Sequence, residues 1–384
     1  MILGIESSCD DTGIAVIDLK GNIVRDRIIS QVDVHKEFGG VVPEFASRAH
    51  ILNMQKIIPD FQDLLINKLT GETLIKLICV TSGPGLLGSL LTGVMFGAGL
   101  ANSLSVPLLK INHLEGHLLS PFIENKDLKF PFLSFIISGG NCLIVFVRSL
   151  GDYTILGQTM DDSPGEVFDK IGRALGFDYP AGATVDKFAQ MGQPRFNLPL
   201  PTRSHSYGAN MSFSGLKTAT LDLIKANLCD KMNDEVKKEV IADICSSFQK
   251  VISQTVYNKL KLALLQVVNS FSVQIKHIVL CGGVAANSGV RGAIDNLAEE
   301  FNITAVKPST QYCTDNAAMI AMCGLLRCKS FCDKNNINYN ETNKLNNLDI
   351  FFKLEEFGKV ASNWGLESVK NTYSNEIIKN NEKT

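Results

Sequence analysis

Short apolar runs, broken by clusters of small and polar residues, set the rhythm of this chain. Ile2–Ile5 gives way to the polar stretch Glu6-Ser-Ser-Cys-Asp-Asp-Thr-Gly13 and then to Ile14–Asp18, which predicts strand, turn, strand. The same order returns at Phe132–Ile137, Ser138-Gly-Gly-Asn141 and Cys142–Val147. A third small-residue turn, Cys281-Gly-Gly-Val-Ala-Ala-Asn287, follows the apolar run His277–Leu280 and leads into a helical segment from Ser288. Helical spacing begins at Val41-Val-Pro-Glu-Phe-Ala-Ser-Arg-Ala-His50. Phe168, Ile171 and Leu175 keep it within residues 161–176, and residues 240–269 read as an amphipathic helix. Pro194–Gly208 reads as a loop, followed by Ser212-Phe-Ser-Gly-Leu-Lys217. Two halves that each open with a hairpin predict an internal duplication. The expected fold is α/β, with two domains facing each other across a cleft lined by the small-residue turns.

At 384 residues the chain fits two domains rather than one core. The expected boundaries are 1–125 for the first half, with a returning helix at about 314–330, and 130–312 for the second. Beyond residue 331 the composition turns Asn-, Lys- and Glu-rich, so 331–384 reads as a weakly ordered tail or an appendage. Leu86–Leu109 is apolar and about long enough to span a bilayer. Gly88, Gly93, Gly97, Gly99, Asn102 and Pro107 interrupt it, which favours a helix buried under a sheet and predicts no membrane partner. A net charge of −2 provides no global basic field for nucleic acid, so any RNA contact must be local. Ten cysteines are scattered without a C-x-x-C pair, and most sit in apolar runs, as reduced buried thiols do. The chain opens directly into a strand. A cytoplasmic protein is the expectation.

His113-Leu-Glu-Gly-His117 carries the sharpest chemistry. Residues four apart share a helix face, so both imidazoles can reach one ion such as zinc or ferrous iron. Equally, Gly116 weakens a helix and either histidine could be an ordinary surface or core residue. Asp315, at Thr314-Asp-Asn316, reads as an early helix residue favoured by the dipole or as the carboxylate of a two-histidine, one-carboxylate site. The turns Ser138-Gly139-Gly140 and Gly282-Gly283 suit backbone amides aimed at phosphate, although a Gly-Gly turn is often only a turn. Asp10, Asp11, Asp169 and Asp186 are the nearby carboxylates.

Nine motifs occur in order: Ile2-Leu-Gly-Ile-Glu-Ser-Ser-Cys-Asp-Asp-Thr-Gly13, Gly39-Gly-Val-Val-Pro-Glu44, Ser82-Gly-Pro-Gly85, His113–His117, Ser138-Gly-Gly140, Gly165-Glu-Val-Phe-Asp-Lys170, Ser212–Lys217, Gly282-Gly-Val-Ala-Ala-Asn287 and Cys313-Thr-Asp-Asn316. Over about residues 1–328 the chain resembles the TsaD (Gcp) family of tRNA N6-adenosine threonylcarbamoyltransferases. The resemblance implies a duplicated actin-like ATPase fold (sugar kinase/Hsp70/actin-type), with two domains around a nucleotide cleft. It implies transfer of threonylcarbamoyl from threonylcarbamoyl-AMP to N6 of the adenosine 3′ of the anticodon in tRNAs reading ANN codons, releasing AMP. By position, His113, His117 and Asp315 correspond to the family's metal ligands. Ile136, Ile137, Ser138, Gly139, Gly140, Asp169, Gly182, Asp186 and Asn287 correspond to its substrate-binding positions. One divalent metal per chain is implied, Fe(2+) first, with Zn(2+) or Mg(2+) as alternatives. TsaB and TsaE family proteins are implied partners beside tRNA. The chain departs from the family pattern at Asn141-Cys142, at Tyr179-Pro-Ala-Gly-Ala183, at Asp11 and in its C-terminal tail.

The donor is a mixed carbamate–phosphate anhydride and the acceptor a weakly basic amine. Such a reaction needs positioning, charge neutralisation and a base. Asp11 is the candidate nearest the reacting nitrogen, or else a cap of the first turn. Arg173, Arg195, Arg203 and Lys217 are candidate RNA contacts or plain surface charges. Two rival readings are an ATP-dependent small-molecule kinase or ATPase of the same fold, and a metalloprotease. The second fits poorly, because Glu115 is two residues past His113 and so off the face the two histidines share.

Overall fold

The run Ile2–Glu6 forms β1, and every residue of it is buried, as expected for a strand covered on both faces. The computed structural model describes residues 1–67, 70–201, 208–229, 232–334 and 360–369. Met1–Asp127, Ser149–Tyr153 and the part from Asp315 onward form one compact unit; Leu128–Arg148 and Thr154–Thr314 form the other. The first unit adds β2 (Asp11–Ile17), β3 (Ile23–Ser30), β4 (Leu77–Gly83) and β5 (Leu108–Asn112) in the order β3-β2-β1-β4-β5. β1 and β2 pair antiparallel, with Glu6 opposite Gly13, whereas β4 runs parallel to β1 and β5 parallel to β4. Parallel pairing brings the C-terminal ends of β1, β4 and β5 to one edge, where open α/β sheets bind ligands. Glu6, the Gly83-Pro84-Gly85 turn and His113 all leave the sheet there.

α1 (Pro43–Ile57) opens with a proline in its first turn, where a missing N–H costs nothing. α2 (Leu87–Leu104) corrects the expectation of a helix buried under the sheet. Leu90, Gly93, Val94, Gly97 and Ala101 are buried, but Leu87, Leu91 and Met95 stand 52%, 43% and 65% exposed. Its small residues let only one face approach the strands. Among the described residues it is the one helix long and apolar enough to cross a membrane. α3 (His113–Leu119) follows β5 directly and is wholly buried.

The second sheet holds β6 (Phe132–Ile137), β7 (Cys142–Ser149), β8 (Asp152–Gln158), β9 (His277–Cys281) and β10 (Thr304–Val306), ordered β10-β9-β6-β7-β8. β6 and β7 are antiparallel; β9 runs parallel to β6 and β10 parallel to β9. Counted from the central strand, this repeats the first sheet, so the topology carries the duplication. α4 (Pro164–Ala174), α5 (Gly182–Met191), α6 (Ser214–Asn227), α7 (Asp234–Phe271) and α8 (Ser288–Phe301) complete the unit. α7 is longer than expected, at 38 residues, and is not amphipathic throughout. The consecutive residues Ile241 to Cys245 are all buried, because α5 and α8 pack against different sides of it.

The chain then returns to the first unit as α9 (Ala317–Lys334), which crosses β1 and β2. The approach is close: a Cβ on Gly4 would collide with the Ala317 carbonyl oxygen, and one on Gly13 would lie 3.1 Å from Ala317 N. α9 itself runs on to Lys334, and residues 360–369 pack on the first unit. The Ala361 N–H donates to the Ser82 carbonyl at 3.1 Å, and Leu366 and Val369 are buried. Arg203 lies outside the described residues.

Substituting Gly4→Val should cost about 3 kcal/mol by overpacking the β1–α9 contact. The sole tryptophan, Trp364, belongs to this unit, so urea unfolding followed by its fluorescence reads the loss. An unchanged midpoint would contradict the packing.

Candidate active site

α3 begins where Asn112 caps it: the Asn112 Oδ1 accepts from the N–H groups of Leu114 and Glu115 at 2.9 and 3.2 Å. The cap residue is itself held, because its Nδ2 donates to the Trp364 carbonyl at 3.0 Å. One turn of helix then presents His113 and His117 side by side, with ring centroids 4.7 Å apart. Asp315 meets them from the other end of the chain. Its Oδ1 lies 3.0 Å from His117 Nε2 and 3.5 Å from His113 Nε2. One ligand atom from each of the three residues falls within 4.8 Å of the others. Asp315 is not in the first turn of its helix. Asn316 is the cap there, accepting from Met319 N at 2.8 Å, so Asp315 is left free for the histidines.

Burial opposes charge on both sides of this cluster, and the partners overcome it. Asp315 and Glu6 hold the His113 imidazole protonated up to about 9, against burial. Burial likewise disfavours the Asp315 anion, but His113 and His117 bring its carboxyl down to about 2. Two imidazoles and one carboxylate, converging and mostly buried, fit a divalent ion with coordination positions left open.

Glu115 leaves the shared face, as its spacing requires, and enters a buried ion pair. Arg327 of α9 binds it with Nε at 2.9 Å and Nη2 at 2.6 Å from both oxygens, and the Tyr153 hydroxyl donates to it at 2.6 Å. Gly116 packs where α3 meets α9, since a Cβ there would lie 2.9 Å from Ile320 Cδ1. These partners were not legible in the spacing of the histidines. Asp11 opens β2, and its hydrogen bond goes to Ser30, its register partner on β3, rather than to a turn amide. Burial first, then the charges of Asp315, Asp10 and Glu6, push its carboxyl up to about 7, and its Oδ1 is buried without a partner. The turn before it is fixed by His50 of α1, which reaches Cys9 O at 3.0 Å and Thr12 Oγ1 at 2.8 Å.

The remaining sequence-selected residues share the second unit. Ile136 and Ile137 end β6 in the core, and Ser138, Gly139 and Gly140 turn beyond it. A Cβ on Gly139 or Gly140 would meet nothing within 4 Å. Gly165 packs under the same turn, where a Cβ would lie 2.7 Å from the Gly139 Cα, and the Ser163 hydroxyl donates to the Gly139 carbonyl. Gly282 must be glycine for another reason than close approach of a ligand. Its φ is +92°, and a Cβ would strike the Ile137 carbonyl. Asp169 accepts from Ala181 N at 2.7 Å and so fixes the turn that places Gly182. Asp186 accepts from the Ser288 hydroxyl at 2.6 Å and from its N–H. Asn287 caps α8 through Val290 N at 3.0 Å and donates to Gln249 at 2.8 Å. Both therefore organise one helix start, a role that was not expected. Two of the candidate RNA contacts are already ion-paired: Lys217 with Asp162 at 2.5 Å, and Arg195 with Glu239 and Asp243 at 2.9 and 3.0 Å.

A five-stranded mixed sheet with helices, repeated in the second unit, gives a duplicated α/β fold of the actin-like ATPase and sugar-kinase type. HypF from T. kodakarensis shares this fold at 14% identity and a TM-score of 0.53, over 86% of this chain and 48% of its own. Full-length HypF in a phosphate- and nucleotide-bound form does so at 12% identity and 0.51, over 88% and 56%. The sequence is more specific. Residues 22–322 match the family model of TsaD, tRNA N6-adenosine threonylcarbamoyltransferase. A Chromobacterium violaceum tRNA N6-adenosine threonylcarbamoyltransferase is 41% identical over 332 residues, covering 86% of this chain and 93% of the relative. The chain belongs to the TsaD family and is an acyltransferase acting on tRNA.

Glu115→Gln leaves Arg327 as a buried charge facing a neutral amide. It should cost about 3 kcal/mol of stability while the metal content stays near native. Thermal unfolding beside metal analysis by mass spectrometry checks both halves. Loss of metal with unchanged stability would place Glu115 in the ion's own shell.

Proposed function

We propose that this protein moves threonylcarbamoyl from threonylcarbamoyl-AMP to N6 of the adenosine 3′ of the anticodon in tRNAs reading ANN codons, in the cytoplasm. The convergence of His113, His117 and Asp315 is the observation that carries the reading, since a kinase of this fold would rely on oxygen ligands for magnesium. These three would hold one divalent ion, Fe(2+) first and Zn(2+) or Mg(2+) otherwise. When bound, that ion supplies a positive charge for the phosphate that departs with AMP. The protease reading loses its base, because Glu115 is closed in by Arg327 and Tyr153.

The adenylate falls to the second unit. The Ser138 N–H donates to the Asn141 carbonyl at 2.8 Å and shapes the turn, which leaves the backbone amides of Gly139 and Gly140 for the ligand, and open space above both glycines supports that use. Asp169, Gly182, Asp186 and Asn287 shape the adenosine side. In the transfer, N6 attacks the carbamoyl carbon, the bond from that carbon to the phosphate oxygen breaks, and its electron pair leaves with AMP. The N6 proton passes to the Asp11 carboxylate, whose elevated pKa and unpartnered Oδ1 suit a general base near neutral pH. TsaB and TsaE act as partners. Phe45, Ile51 and Leu52 of α1 with Leu91 and Met95 of α2 are exposed apolar side chains on two packed helices.

Alanine at His113, His117 or Asp315 should each remove both the metal and the threonylcarbamoyl product, with AMP formation falling in parallel. Metal analysis and mass spectrometry of tRNA nucleosides read the two losses. Full activity in a metal-free Asp315→Ala protein would sink the reading, as would ADP in place of AMP.

Gly140→Val should abolish adenylate binding yet leave the melting temperature and the metal content unchanged, because its side chain enters empty space. Calorimetry with threonylcarbamoyl-AMP decides the point. Normal affinity in a folded variant would make the turn a fold element only.

A further inference from the structure

Glu6 closes β1 with its side chain 1% exposed, yet neither the three-ligand cluster nor the proposed transfer uses it. A buried carboxylate in a strand of apolar residues is costly unless its oxygens are matched. Both are. Oε1 accepts from Ser8 N at 2.6 Å, and Oε2 accepts from the Thr81 hydroxyl at 2.5 Å. Those partners come from the turn after β1 and from the neighbouring parallel strand β4, so the sheet holds the carboxylate in place. Among the described residues Oε2 also lies 3.3 Å from His113 Nδ1, with the Ser8 hydroxyl 3.2 Å from the same nitrogen.

We propose that Glu6 is a positioning residue of the metal centre, holding His113 with its proton on Nδ1 so that the Nε2 lone pair faces His117 and Asp315. A neutral imidazole carries one proton, and the nitrogen left bare is the only one that can bind a cation. An acceptor fixed by the sheet at Nδ1 decides which nitrogen that is and sets the rotation of the ring. The distances agree: Nδ1 faces Glu6, and Nε2 lies 3.5 Å from Asp315 Oδ1. Among the described residues His117 has no such support, and its Nδ1 is buried without a partner. The two histidines are therefore unequal. His113 is the ligand fixed in advance, and His117 is the one that adapts to the ion.

This inference rests on the metal reading above, and the two fail differently. Zn(2+) affinity of the full chain, measured by chelator competition, should fall about 10- to 100-fold in Glu6→Gln. The amide can offer Nδ1 an N–H, which favours the wrong tautomer. Melting of the zinc-free variant separates this from a fold defect: the affinity loss should persist in samples whose melting temperature is native. The second readout needs no variant. In the zinc-loaded wild type, nitrogen-15 NMR of the His113 ring should show a protonated Nδ1 and a metal-bound Nε2. Native zinc affinity in folded Glu6→Gln, or zinc on Nδ1 of His113, overturns the proposal. Failure of the wild type to bind Zn(2+) through His113 at all would overturn the metal reading instead.

Discussion

Helix α9 lies against β1 and α3, and the rest of the first unit's chemistry depends on that contact. Asp315 is separated from His117 by nearly two hundred positions, yet the two side chains sit 3.0 Å apart. Close packing at Gly4, Gly13 and Gly116 sets the approach, and the Arg327–Glu115 pair fixes it farther along α9. An added methyl at Gly4 must displace the Ala317 backbone, at Gly13 it would press on Ala317, and at Gly116 it would push aside the end of the Ile320 side chain. The glycines in the Ile2–Gly13 and His113–His117 motifs thus serve the same contact.

Charge accounts for the second constraint. Glu6, Asp315, His113 and His117 share a buried volume in which no single charge is tolerable alone. With no ion present, a proton on His113 balances the carboxylates, which is why that imidazole stays protonated to about 9 while Asp315 falls to about 2. In the metal-bound state proposed above, a divalent cation takes the place of that proton. Binding should therefore release a proton and strengthen as pH rises towards the His113 value. Asp11 is raised by its own burial first, and the same charges of Asp315, Asp10 and Glu6 add to it.

Much of this was legible in the chain. Hairpin signatures at Ile2–Asp18 and Phe132–Val147 announced the duplication, because alternating apolar runs and small-residue turns are local properties. The histidine pair was legible for the same reason, since four residues make one helical turn. The partners of Glu115 were not, because Arg327 and Tyr153 reach it through tertiary packing that no spacing encodes. α2 read as buried because its composition is apolar, whereas burial depends on which face meets a strand. Gly282 was assigned to ligand approach, and its positive φ and the Ile137 carbonyl give a different reason. Asp186 and Asn287 read as ligand groups, but the start of α8 already engages them.

X-ray absorption on the zinc-loaded full chain tests the centre most directly. Two imidazole scatterers at about 2.0 Å with oxygen neighbours and no sulfur are expected, dropping to one imidazole in His117→Ala. Thiolate scattering, or an oxygen-only shell that ignores the histidine substitution, would contradict the account.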